Sequence, residues 1–69
     1  MSLTYSEIFE YIASENLDLS LYRLLLAKPE ERWHVTLGDA QDTIAIKVTS
    51  GDPLKGLNEA LARFKRIVD

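Results

Sequence analysis

Trp33-His34-Val35-Thr36-Leu37 and Ile44-Ala45-Ile46-Lys47-Val48 are two runs in which apolar residues take every second place. Gly38-Asp39-Ala40-Gln41-Asp42 lies between them. A strand turns successive side chains to opposite faces, so this alternation around a short polar gap predicts a β-hairpin with one buried face. Trp33, Val35, Leu37, Ile44, Ile46 and Val48 make that face, and His34 falls on the other, where solvent is expected. Asp52-Pro53 then predicts a helix start, with Asp52 as cap and Pro53 in the first helical position. Leu54, Leu57, Leu61, Phe64 and Val68 recur at helical spacing behind it, with Ala60 and Ile67 at the margin of the stripe. Gly56 costs this helix about 1 kcal/mol relative to alanine. Gly56 and Ala60, four apart, leave a shallow surface for the hairpin, the first helix or a helix of a second copy.

Upstream, Thr4-Tyr5-Ser6-Glu7 is a capping box, and Leu3 with Ile8 supplies a hydrophobic staple. A helix over about residues 5–14 follows, with Tyr5, Ile8, Phe9 and Ile12 on one face. Asn16-Leu17-Asp18 is weaker punctuation. Asp18 caps an expected second helix that runs to about Ala27 and is stopped by Pro29; one bent helix over 5–27 is the alternative. The expected fold is therefore α+β, one domain over residues 1–69 in the order α-α-β-β-α, with the helices on one face of the antiparallel hairpin.

That second helix would be apolar over most of its girth. Leu17, Leu21, Leu24 and Leu25 line one side, while Leu19, Tyr22 and Leu26 fall elsewhere. Either it is a central core helix, or it meets a second copy or a partner. A two-stranded sheet is also marginal and leaves open edges, to which a second copy or a partner could add a third strand. The interface candidates are Leu19, Tyr22, Leu26, Gly56 and Ala60.

Bulk properties point the same way. A chain of 69 residues buries only about 60% of its unfolded surface. It has no cysteine for a disulfide or a thiolate metal site. Stability must come from packing or association. The absence of cysteine fits the cytoplasm, and the longest apolar run, Leu24-Leu25-Leu26-Ala27, is far too short for a membrane span. The net charge of -3 is uneven: residues 1–31 carry six acids against Arg23 and Lys28, whereas residues 32–69 carry six bases against five acids.

The chemistry-bearing residues are few. His34 is the single histidine, with no nucleophile or carboxylate spaced around it as a base needs. Neither Gly38 nor Gly51 opens a phosphate-binding run, and Asp39-Ala40-Gln41-Asp42 lacks the oxygen ligands of a calcium loop. So small a core also leaves little room for a ligand site of about 300–1,000 Å³. No enzyme, cofactor, metal or small-molecule substrate is expected. Nucleic acid is the alternative partner, through Lys47 on the outer sheet face and Arg63, Lys65 and Arg66 near the end of the last helix. Against it, helix C-termini favour cations in any case, and the pI is about 5.0. The strand-strand-helix order is shared with the end of double-stranded-RNA-binding domains, but the lysine-rich helix start of those domains is replaced here by Pro53-Leu54-Lys55.

The tryptophan opening the hairpin, Ser50-Gly51-Asp52-Pro53-Leu54 and Leu57-Asn58-Glu59-Ala60-Leu61-Ala62-Arg63 resemble small accessory proteins encoded by phages, over about half of the chain. The resemblance implies a binder of a host or phage macromolecule, located in the host cytoplasm, and transfers no site residues. The expected function is a non-enzymatic protein-interaction module of an accessory or regulatory kind, self-associating as a homodimer.

Overall fold

The computed structural model describes residues 2–41 and 43–68. Helix α1 spans Tyr5–Ser14, strands β1, β2 and β3 span Asp18–Arg23, Trp33–Gly38 and Ala45–Ser50, and helix α2 spans Pro53–Val68. A single 3₁₀ turn, Pro29–Glu31, precedes β2. The sheet is an antiparallel meander in the order β1-β2-β3. The α+β class holds, as do the hairpin, the first helix and the last.

Residues 18–27 differ from expectation: they form a strand and a turn, not a second helix. The cause sits just upstream. Asn16 takes a left-handed conformation, φ 54°. The Leu17 amide donates to the Ile12 carbonyl at 3.0 Å, and the Asn16 amide to the Ala13 carbonyl at 3.3 Å. These two bonds make the Schellman motif, which satisfies the last carbonyls and turns the chain out of the helix. Asp18-Leu19-Ser20-Leu21-Tyr22-Arg23 then runs at period two, with Leu19 and Leu21 half-buried on the inner face and Ser20 and Tyr22 outward. The third strand therefore comes from the same chain.

Leu19 opposes Leu37 and Leu21 opposes Val35; across the other ladder Leu37 meets Ile46 and Val35 meets Val48. Both helices cover this inner face. Ile8 and Ile12 of α1 join Leu57, Ala60, Leu61 and Phe64 of α2 over Val35, Leu37, Ile46 and Val48, all buried. Val68 and Ile67, placed on or beside the packing stripe, are about half exposed instead. Tyr5 and Phe9 also lie outside the core, paired on the surface with ring centroids 6.1 Å apart.

Caps set the helix ends. The Thr4 amide donates to the Glu7 carboxylate at 2.9 Å, and the Glu7 amide to the Thr4 hydroxyl at 3.3 Å. The Lys55 amide donates to the Asp52 carboxylate at 2.8 Å. Asn58 joins the start of the chain to α2, accepting from the Leu3 amide at 2.7 Å and donating to the Leu3 carbonyl at 3.1 Å. A Cβ on Gly56 would stand 3.2 Å from a Val35 methyl and 3.3 Å from the Ser50 Cβ, so its absence lets α2 close on the sheet.

Two outcomes follow from these caps. A left-handed residue with a side chain costs about 1–2 kcal/mol unless it is glycine or asparagine. Asn16→Val should lose about that much in a urea titration, and Asn16→Gly should not. The capping hydrogen bonds from Thr4 hold the Glu7 carboxyl below its ordinary 4.5. A depressed carboxyl pKa stabilises the fold above the unfolded value, and that contribution is lost as pH falls below 4.5 through the folded value. Glu7→Gln keeps an acceptor but does not titrate, so its unfolding midpoint should fall less steeply with acid than that of the unmodified chain.

Candidate functional site

The helices leave the outer sheet face open. Antiparallel register sets Tyr22 beside His34 and His34 beside Thr49 in one row, and Ser20, Thr36 and Lys47 in the next. The Tyr22 and His34 rings stack with centroids 5.1 Å apart and planes 13° from parallel. His34, expected to face solvent, is instead half-buried, and its Nε2 is covered with no hydrogen-bond partner among the described residues. β1 brings Tyr22 alongside and so covers one face of the His34 ring. A cleft of about 330 Å³ is lined by these two rings, Thr36, Lys47 and Thr49, with Glu59 and Arg63 reaching it from α2. So small a core was expected to leave little room for a ligand site, but the surface offers this cleft at the lower end of the usual size range.

A second feature lies at the end of β1. The Leu24 amide donates to the Arg32 carbonyl at 2.8 Å, and the Ala27 amide to the Leu24 carbonyl at 3.3 Å. This is a closed four-residue turn with Leu25 and Leu26 at its corners. Arg32 Nε donates to the Ala27 carbonyl at 3.1 Å and braces it from the far side. The turn presents its leucines to water: Leu25 is 69% exposed and Leu26 99%. The braced turn thus presents an apolar surface of fixed shape.

The predicted interface residues divide. Leu26 stands at the tip of this turn and Tyr22 is 49% exposed, while Leu19 packs half-buried on the inner face. Gly56 and Ala60 are buried against the chain's own sheet and core, so they offer no surface to a second copy. The predicted basic group also separates. Arg63 pairs with Glu59 at 3.7 Å beside the sheet-face cleft, where Lys47 also lies. Lys65 turns to another flank, its ammonium 4.7 Å from the Tyr11 ring centroid, and Arg66 is exposed. Helical geometry explains the split, since positions two apart fall on nearly opposite sides.

Leu24 and Leu25 are not among the interface candidates, because helical spacing groups them with Leu17 and Leu21 on one side of the expected second helix, apart from Leu19, Tyr22 and Leu26. Their signal was present in Leu24-Leu25-Leu26-Ala27 standing directly after an alternating run and before Lys28-Pro29. Asp39, the first residue of the stretch that lacks a calcium loop's ligands, is committed to the hairpin loop. Its carboxylate accepts from the Thr43 hydroxyl and amide and from the Ile44 amide, and the Thr43 hydroxyl bond leads in lowering its pKa below 3.8. Asp42, the last residue of the same stretch, lies outside the described residues. Among the described residues no three His, Asp or Glu side chains come together as a metal site, and no helix is long and apolar enough to cross a membrane. Comparison with protein-family models, with curated proteins and with solved structures returns no match for this chain.

An unsatisfied buried nitrogen costs about 1–3 kcal/mol. His34→Phe keeps the stacking ring and removes the nitrogen. Its thermal and urea midpoints should both rise, whereas His34→Ala should lower them through loss of the stack.

Proposed function

We propose that this chain is a non-enzymatic protein-interaction module that self-associates through the free edge of β1 and the Leu24–Leu26 turn. The observation that carries the reading is the braced turn that holds Leu26 almost wholly, and Leu25 largely, in water. Exposed leucines of this extent cost solubility, and their fixed geometry lowers the entropy lost on binding.

The strand beside the turn supports a second copy as occupant. Natural edge strands are usually guarded by an inner charge, a proline or a bulge. β3 carries Lys47 in its middle, whereas Leu19-Ser20-Leu21-Tyr22 of β1 carries no charge, proline or glycine. The charges of β1 stand at its two ends, as Asp18 and Arg23. Two β1 strands pairing antiparallel would extend the sheet and bring the acidic end of each towards the basic end of the other. Such a contact is isologous and closes as a dimer. The earlier grounds for a dimer, an over-apolar helix and the Gly56/Ala60 surface, are replaced by this edge. The resemblance to phage accessory proteins fits such a module with a regulatory role.

Light scattering after size exclusion tests the reading. The unmodified chain should give twice its monomer mass at about 100 μM and dissociate on dilution, while the double variant Leu25→Asp/Leu26→Asp should stay monomeric with unchanged circular dichroism. A monomer of the unmodified chain at that concentration would sink self-association.

A further inference from the structure

We infer that the outer sheet face binds a nucleotide unit, one base stacked on His34 with its phosphate held between Lys47 and Arg63. The row Tyr22–His34–Thr49 carries the inference. Its first two members are rings stacked on each other. Its third is a threonine, too short to continue the stack, so the His34 face turned towards β3 has no aromatic partner within the row. The gap lies on the cleft of about 330 Å³. A planar ring entering over Thr49 would extend the stack to three, with one ring face supplied by the protein. His34 offers its face and not its Nε2, which is covered.

The ring must carry an anion, because cations border the slot. Lys47 is exposed on the same face two residues before Thr49, and Arg63 reaches the cleft from α2. The Thr36 and Thr49 hydroxyls add neutral donors. Glu59 is the opposing charge, but its 3.7 Å pair with Arg63 has both side chains about half exposed, and such pairs are weak in water. Arg63 can therefore turn to a phosphate. Base stacking on one protein ring tolerates any base, and a backbone phosphate beside it is the usual companion in single-strand binding. The net charge of -3 disfavours a long duplex track and suits a contact of one or two nucleotides. The same unit occurs as a free mononucleotide or within a single strand, and the experiment separates the two.

The test is an NMR titration of the intact chain in about 50 mM salt with adenosine monophosphate, adenosine, inorganic phosphate and a short oligothymidylate. Saturable shifts of the His34, Lys47 and Thr49 amides with adenosine monophosphate are expected, and weaker ones with adenosine or phosphate alone. Thr49→Tyr fills the slot with a ring that suits a strand, so the fold should persist. It should lose about tenfold or more in affinity, the loss of one stacked base. Lys47→Glu should weaken binding and flatten its salt dependence, and Glu59→Gln should strengthen it. An oligothymidylate that binds at least about tenfold tighter than the mononucleotide assigns the slot to single strands; equal affinities assign it to free nucleotide. No saturable shift at about 5 mM mononucleotide overturns the inference, as does binding that Thr49→Tyr leaves intact.

Discussion

The hydrogen bond from the Leu17 amide to the Ile12 carbonyl, closed over the left-handed Asn16, determines what the next ten residues become. A right-handed residue at that place would let α1 continue, since no glycine or proline lies between Tyr5 and Lys28. With the turn in place, Asp18 starts a strand whose leucines meet Leu37 and Val35. The third strand, the ring stack on the outer face, the unguarded edge and the leucine turn all lie downstream of that one backbone conformation.

The inner face shows how so small a chain reaches a dry core. Branched residues of β2 and β3 meet α2 at its smallest side chains, Gly56 and Ala60, so the helix axis comes close and Leu57, Leu61 and Phe64 fill the flanks. Close approach increases the contacts each atom makes, and dispersion accumulates from them. β1 is less deeply covered, with Leu19 and Leu21 only half-buried. The sheet is thus well packed on one side and lightly held on the other, where the exposed edge and turn lie.

The parts legible in the sequence were those with one dominant local signal. Thr4 to Glu7, Asp52-Pro53 and the alternations around Gly38 each specify a structure by short-range chemistry, and each formed. Residues 17–26 carried two compatible signals. Their leucines satisfy helical spacing and strand alternation together, and Asn16 tolerates right-handed and left-handed backbone alike. The left-handed turn at Asn16 and the pairing with β2 together separate the two readings, and neither is written in the leucine pattern itself. The site suffered accordingly. Lys47, Tyr22, Leu26 and Arg63 were named, but their neighbourhood was not, because the stack needs β1 beside β2. The basic group of Arg63, Lys65 and Arg66 was close in sequence and divided in space.

Asn58 gives the molecule an asymmetry in its order of assembly. Its side chain bonds Leu3, 55 positions away, while the strand ladders join segments that follow one another along the chain. Loop closure grows costlier with the length of chain enclosed, so hairpins and their adjoining helix can form before the N-terminal helix docks. α1 is then the last piece to arrive and the first to lift in a partial opening, taking Ile8 out of a core where it is wholly buried. Amide exchange would divide the molecule there, with the meander and α2 as the slow unit and α1 as the fast one.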